Sequence, residues 1–450
     1  MLLVTALSIL VTAHPAMGQD RAKRPREETL LNGLKVLMWS DPTARDVSVK
    51  IRVHAGSAFD PQGKEGVMRL LAENIFPNVE SREYFAEGLN GSLKIDTTYD
   101  YIQINASSEP SQYVTMLETL SSALINSTID KSTTAKLRDA LVAELTALEG
   151  STAHVADQAA ISRMFGSFPY GRPIYGTTGS VKKIDFADLI DARARFLTAD
   201  NATLTIVGNF KGQNAWQAIR RFFGGWLKSD RRVPSTFRQP DAPQPGRLTV
   251  SSPRPNESAM RFAVRFVARN DKEFAAASVF AKLVEKRLLA RSPEDIRDQA
   301  FVRVGEHVLP GAMLIGFAAS HGDFVPGSGK IGTEDLVSRA LTDAILEAEF
   351  AAAKSAALSE WAKRDTATLW LDVDTFKTAG VNAEFAALEK VSIENVRSVA
   401  ARIALPKVFP SSSIRRSPSN SCQPLQQNPS VSTPTRCARC SLVSLRATIC

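Results

Sequence analysis

Histidine is scarce in this chain. There are five in 450 residues, at 14, 54, 154, 307 and 321, and no two stand four apart. That spacing excludes a helical pair of imidazoles on one face, the usual way a helix presents two nitrogen ligands to a metal. Cysteine is nearly absent from the body: all four, Cys422, Cys437, Cys440 and Cys450, lie at the C-terminal end. The preceding four hundred residues therefore fold without disulfides, and Cys437-Ala-Arg-Cys440 stands alone, without the second pair or nearby histidine of a zinc site. Acidic residues stop at Glu394, whereas eight basic residues follow it. These eight match the net charge of +8, so the body is nearly neutral. It also lacks basic patches interleaved with aromatics, which argues against electrostatic binding of nucleic acid.

Long apolar runs are missing too. Leu2 to Ala13 is apolar but too short to span a bilayer. With the small-x-small pattern Ala16-Met17-Gly18 behind it, the segment 1–18 reads as a secretory signal peptide cut near Gly18, although no basic residue precedes Arg21. Secretion or a periplasmic location is the corresponding expectation, with no integral membrane segment. At 44% hydrophobic and 23% charged residues, the remainder has the composition of a globular protein, and its length suits two or three domains.

Hydrophobic periodicity supplies the elements. Leu34–Trp39, Val47–Val53, Ile95–Asn105 and Ala202–Gly208 read as strands. Gly66–Phe76, Pro110–Leu124, Ile129–Leu148 (with Leu137, Leu141, Leu145 and Leu148 on one face), 155–165 and Asp185–Leu197 read as helices. Four prolines between Pro234 and Pro245 mark a linker. Beyond it the order recurs: strand Arg261–Val267, helix Phe274–Leu289, strand Ala312–Ala318, then helices near 334–364 and 392–403. Two similar units joined by a linker predict a duplicated α+β architecture of mostly antiparallel sheets packed with helices on one face. The expected divisions are 29–233, a linker over 234–247, 248–405, and a basic tail over 406–450. That tail has no periodicity and is expected to be disordered. It is either genuine or the product of a reading-frame disruption near residue 405.

Four segments in order carry a family resemblance: Asn32-Gly33-Leu34 opening a strand, Ala55-Gly56-Ser57 before the helix that ends at Phe76, Phe168-Pro-Tyr-Gly-Arg-Pro-Ile-Tyr-Gly176, and Asn201-Ala-Thr-Leu-Thr-Ile-Val-Gly208. Over roughly residues 30–400 the chain resembles the pitrilysin/insulinase (inverzincin) family of zinc metallopeptidases, of the half-length bacterial type similar to the mitochondrial processing peptidase subunits. The resemblance implies two homologous pitrilysin-like domains, the second here without its closing strand.

It also implies a His-x-x-Glu-His helix whose histidines bind zinc beside a glutamate general base. Those positions here are Arg69, Ala72 and Glu73, and the family's third ligand position is Glu144. A guanidinium cannot ligate a cation, and Ala72 has no titratable group. Neither a catalytic residue nor a bound metal is therefore expected, although zinc serves in active relatives. Arg69 and Glu73 stand at i and i+4 and can pair, with Glu144 as a third member, so that the guanidinium replaces the metal's charge. Alternatively both are solvated on an exposed face.

Half-length relatives also place an Arg…Tyr pair against the substrate. The matching positions are Arg297 and Val304, so Arg297 is a candidate peptide contact, with Phe301 as an aromatic substitute in a shifted register. The reading that follows is a catalytically inactive homologue: a non-catalytic, peptide-binding partner subunit in a heterodimer with an active zinc metallopeptidase. Its alternatives are an active zinc metalloendopeptidase using non-standard ligands and a stand-alone periplasmic peptide-binding or scaffold protein.

Overall fold

The computed structural model of the chain describes residues 23–229, 238–244, 246–254, 257–321, 333–404 and 411–415. In the first half the order is β1 (Arg26–Thr29), β2 (Lys35–Ser40), β3 (Val47–Val53), α1 (Val67–Glu73), α2 (Val79–Glu87), β4 (Ser92–Thr97) and β5 (Ile102–Ser108). Four helices and a short turn of helix follow: α3 (Tyr113–Asn126), α4 (Lys131–Glu149), α5 (Thr152–Phe165), α6 (Thr178–Val181) and α7 (Phe186–Phe196). Strand β6 (Ala202–Gly208) and α8 (Gly212–Phe223) complete this half. The second runs β7 (Leu248–Ser251), β8 (Glu257–Arg265), α9 (Phe274–Arg291), α10 (Glu294–Arg297), β9 (Ala300–Val304) and β10 (Ala312–His321). It ends with α11 (Thr333–Thr342), α12 (Glu347–Lys363), α13 (Thr366–Phe376), α14 (Val381–Glu389), α15 (Ile393–Ala404) and β11 (Ser411–Arg415).

Duplication is visible in the strand order. The first sheet runs β1-β2-β6-β3-β5-β4 and the second β7-β11-β8-β10-β9. In each, the last strand of the half inserts between two earlier ones, parallel to one and antiparallel to the other. The α+β expectation therefore holds, with two corrections. The second half does have its closing strand: β11 lies within the segment read as tail, and the other residues of 406–450 are outside the described set. The single strand expected over 95–105 is two, β4 and β5, joined by a turn in which the Thr98 N–H donates to the Tyr101 carbonyl.

Period-two alternation explains how the halves join. Val47, Val49, Ile51 and Val53 of β3 face the helices of their own half and are buried. The intervening residues do not face water. They meet α13 of the second half, where Lys50 bonds Asp365 at 2.7 Å, Arg52 bonds Asp372 at 2.7 Å and Lys35 of β2 bonds Asp374 at 2.9 Å. The exchange is reciprocal: α5 of the first half lies on the second sheet, with Asp157 between Arg261 and Arg303 and Phe165 under the Arg265 guanidinium at 4.3 Å.

His54 sits in this junction, its ring nitrogens 3.0 Å from Thr203 Oγ1 and 3.2 Å from Thr375 Oγ1. Burial pushes its pKa from 6.5 down to about 3, and the Lys377 charge adds to the shift. Because protonation favours the unfolded chain, this contribution to stability is complete above about pH 6.5 and is lost as pH falls toward 3. Thermal melts between pH 7 and 4 should therefore show a shallower loss of Tm in His54→Gln than in the wild type; parallel curves would contradict it.

Candidate functional site

Helix α1 is fixed at its N-terminus by Asp60, whose carboxylate accepts from the Gly66 and Met68 amides at 2.8 Å each. Burial pushes the Asp60 carboxyl up to about 7, although both hydrogen bonds favour its charged form. Gly66 has φ 110°, and a Cβ there would meet Val181 Cγ2 at 2.8 Å and the Tyr175 carbonyl at 2.9 Å. Glycine thus permits both the left-handed turn and the close approach of the 175–181 segment. Val67, Met68, Leu70, Leu71 and Ala72 are buried, which leaves Arg69 and Glu73 as the polar stripe of the helix.

Those two pair as their spacing predicts. Arg69 Nη2 lies 2.9 Å from Glu73 Oε1 and 3.6 Å from Glu144 Oε2 on α4. Two further members were not visible in the sequence: Arg82 of α2 bonds the other oxygen of Glu73, and the Tyr175 ring covers the Arg69 guanidinium at 5.0 Å. Only long-range packing brings these residues to the helix, so no spacing announces them. Arg69 Nε is buried without a hydrogen-bond partner. The cluster is half-sheltered: the Arg69 and Glu73 side chains retain 19% and 18% of their exposure, while Glu144 retains 45%. Both carboxylates accordingly keep a solvating or cationic neighbour when Arg69 is removed. Arg69→Ala should cost about 1 kcal/mol in a denaturant melt, well below the roughly 3–5 kcal/mol of a sealed pair.

A zinc ion does not fit this donor set. Two guanidinium groups hold the carboxylates, the cluster contains no neutral nitrogen donor among the described residues, and Ala72, 1% exposed, belongs to the apolar core. No histidine with a described side chain pairs with this cluster. His54 lies in the junction between halves, His307 Nδ1 is 3.0 Å from Asp100 Oδ2, and His154 is on α5.

Beside the cluster, a cavity of about 260 Å³ opens between the halves, lined in part by Tyr99, His154, Asp157, Tyr170, Tyr175, Arg303 and His307. Its lining is mostly apolar and is braced by a few hydrogen bonds. Tyr170 donates to Asp100 Oδ1 at 2.7 Å, Tyr99 donates to the Arg172 carbonyl at 2.6 Å, and the Tyr170 and His307 rings lie 4.5 Å apart. Burial pushes both tyrosine hydroxyls further from ionisation, so they serve as neutral donors.

The structure places Arg297 away from this cavity, with Nε and Nη2 donating to the Ser292 carbonyl at 3.3 and 3.2 Å. The cation that lines the cavity is Arg303, stacked on Phe301 at 4.1 Å; Val304 is also in the lining. Alternation along β9 was the available signal, since Phe301 and Arg303 share a strand face.

Fold and site together define a duplicated α+β protein with an ion-pair cluster of Arg69, Glu73, Glu144 and Arg82 on helices α1, α2 and α4. Residues 35–178 match the family "Insulinase (Peptidase family M16)" and residues 183–294 match "Peptidase M16 inactive domain". The chain belongs to the M16 (insulinase) peptidase family.

Among its relatives, a probable mitochondrial-processing peptidase subunit beta of Arabidopsis thaliana is 28% identical over 56% of this chain and 49% of its own length. An uncharacterized zinc protease of Mycobacterium tuberculosis is 22% identical over 62% of this chain and 65% of its own. The matched stretch thus spans about half to two thirds of these relatives. The fold is similar to that of a protease from Helicobacter pylori, with a TM-score of 0.76, 15% identity, and coverage of 87% of this chain and 100% of the other. It is likewise similar to a peptidase M16 inactive domain from Pseudomonas fluorescens, with a TM-score of 0.75, 16% identity, and coverage of 87% and 98%.

Proposed function

We propose that this chain is a non-catalytic member of its family that pairs with an active zinc peptidase and helps hold an extended peptide. The carrying observation is the Arg69 guanidinium lying between Glu73 and Glu144, with alanine at the position of the general base. This site can maintain the packing of α1 against α4, and its two carboxylates face guanidinium groups in place of a metal-bound water. Pairing is supported by the relative named as a processing-peptidase subunit. Peptide binding is supported by β4 and β9, which end their sheets and so offer backbone edges for an added strand. Arg303 and Tyr175 in the cavity between the halves supply a cation and an aromatic face for side chains of such a peptide. Secretion toward the periplasm, read from segment 1–18, belongs to the same proposal; no helix among the described residues is long and apolar enough to cross a membrane.

Co-expression with a family member from the same organism that carries an intact His-x-x-Glu-His helix tests the pairing. The expected result is one complex on size exclusion that cleaves unfolded peptides faster than the active chain alone. Two separate monomers with unchanged cleavage would overturn the proposal.

A further inference from the structure

The two most exposed large apolar side chains among the described residues stand at one corner of the first half. Leu31 is 105% exposed and Leu227 78%. Leu31 tips the turn between β1 and β2, where the Gly33 amide donates to the Leu30 carbonyl at 2.9 Å. Asn32 Nδ2 ties this turn to the end of α8, donating to the Phe223 and Trp226 carbonyls at 2.8 Å each. Leu227 follows Trp226, whose ring is buried and whose indole N–H donates to the Leu197 carbonyl at 3.1 Å. The Leu227 carbonyl in turn accepts from the Ala199 amide at 2.9 Å. Both leucines are thus held outward by a bonded backbone. One exposed leucine is ordinary, but two projecting from braced, adjoining turns make an apolar tip.

Cations flank that tip. Arg220 and Arg221 in the last turn of α8 and Lys228 beyond it are exposed, and none joins an ion pair among the described residues. One carboxylate, Asp200, stands with them, its Oδ1 accepting from the Ser229 amide at 2.9 Å. The helix dipole accounts for two arginines at a C-terminus, but not for Lys228 or the leucines. The combination selects an occupant. Single-stranded nucleic acid would use the cations but stacks its bases on aromatic rings, whereas the projecting groups here are aliphatic. An acidic protein surface would pair with the cations but would need a pocket shaped for each leucine. An anionic bilayer meets both needs: its headgroup phosphates face the cations, and the leucines enter the acyl boundary, about 5–10 Å deep.

We propose that this corner docks the chain onto the surface of an anionic phospholipid bilayer. The contact is peripheral and needs no spanning helix. It involves neither the cluster around Arg69 nor the cavity between the halves, and it does not depend on a partner subunit.

Co-sedimentation of the full chain with vesicles of phosphatidylglycerol and phosphatidylethanolamine tests this, read together with amide hydrogen exchange. Binding is expected to these vesicles but not to pure phosphatidylcholine. It should weaken sharply at about 1 M salt, where the Debye length is about 3 Å. Vesicles should protect amides in 30–33 and 220–228, which separates this corner from the basic C-terminal end and the apolar run near the N-terminus. Leu31→Ser with Leu227→Ser should weaken binding by at least about tenfold and leave the thermal melt unchanged, since both side chains are exposed. Arg220→Gln, Arg221→Gln and Lys228→Gln together should also weaken it by at least about tenfold. Leu346→Ser, at a leucine 62% exposed in the second half, should leave it unchanged. Absence of binding to the anionic vesicles, protection only outside this corner, or an affinity unchanged in both corner variants would overturn the proposal. The leucine variant should still co-elute with an active family member, so the two proposals fail separately. Loss of co-elution in that variant would assign the corner to a protein partner instead.

Discussion

A chain carrying Arg69→His, Ala72→Glu, Glu73→His and Arg82→Gln should bind one zinc ion, and the natural chain should bind none. Helix α1 already places positions 69 and 73 on one face, and Glu144 already lies 3.6 Å from the group at position 69. Two imidazoles and one carboxylate make the usual three-ligand set, with the fourth position open to water. Arg82 must change as well, because its guanidinium would otherwise remain beside the metal. Zinc at about 100 times its Kd should stabilise the variant by about 2.7 kcal/mol, raising its Tm, while the wild-type Tm should not respond. The buried setting of Ala72 makes Ala72→Glu the hardest of the four changes to accommodate. Leaving out that substitution should preserve metal binding and abolish any recovered hydrolysis. Equal zinc responses in wild type and variant would contradict the assignment of the site.

Arg52→Ala should lower stability by about 3 kcal/mol and Tm by about 5 °C or more, far beyond the change at the more exposed Lys50–Asp365 pair. Arg52 is 1% exposed, bonds Asp372 and Thr375 of α13 and Gln103 of β5, and stacks on Tyr101 at 4.1 Å. Its removal leaves Gln103 without its guanidinium partner and Asp372, whose side chain is 3% exposed, with Arg364 alone. Arg52→Met with Asp372→Leu should recover most of the loss, because a buried pair replaced by apolar groups escapes the desolvation penalty. Lys50→Ala, whose partner Asp365 is 53% exposed, should stay within about 0.5 kcal/mol. Equal losses from Arg52→Ala and Lys50→Ala would show that the junction is not held by its buried pair.

Much of the fold was legible where side chains alternate or repeat against their own half. Strands β3 and β6 and helix α4 follow directly from their apolar spacing. What lay between halves was not legible. The polar positions of β3 suggest a solvated face, whereas α13 covers them, and α13 and α14 were not predicted at all. Strand β11, Ser411-Ser-Ser-Ile-Arg415, has too few apolar residues to show a period. Its place comes from the backbone gap between β7 and β8, a non-local fact. At the site, the pairing of Arg69 with Glu73 and the nearness of Glu144 follow from helical spacing and the family resemblance. Arg82 and Tyr175 arrive from other elements and no local pattern marks them, whereas Arg303 could have been found from alternation along β9.

In the proposed reading, Arg69 occupies the place of a metal charge and leaves the chain without a peptidase site of its own. The most direct measurement is the zinc content of purified wild-type chain after equilibration with excess zinc and desalting, by inductively coupled plasma mass spectrometry. Well under about 0.1 zinc per chain is expected, because a guanidinium cannot donate an electron pair to a cation. Retention of about one zinc per chain, lost when Glu73 and Glu144 are both changed to alanine, would contradict it.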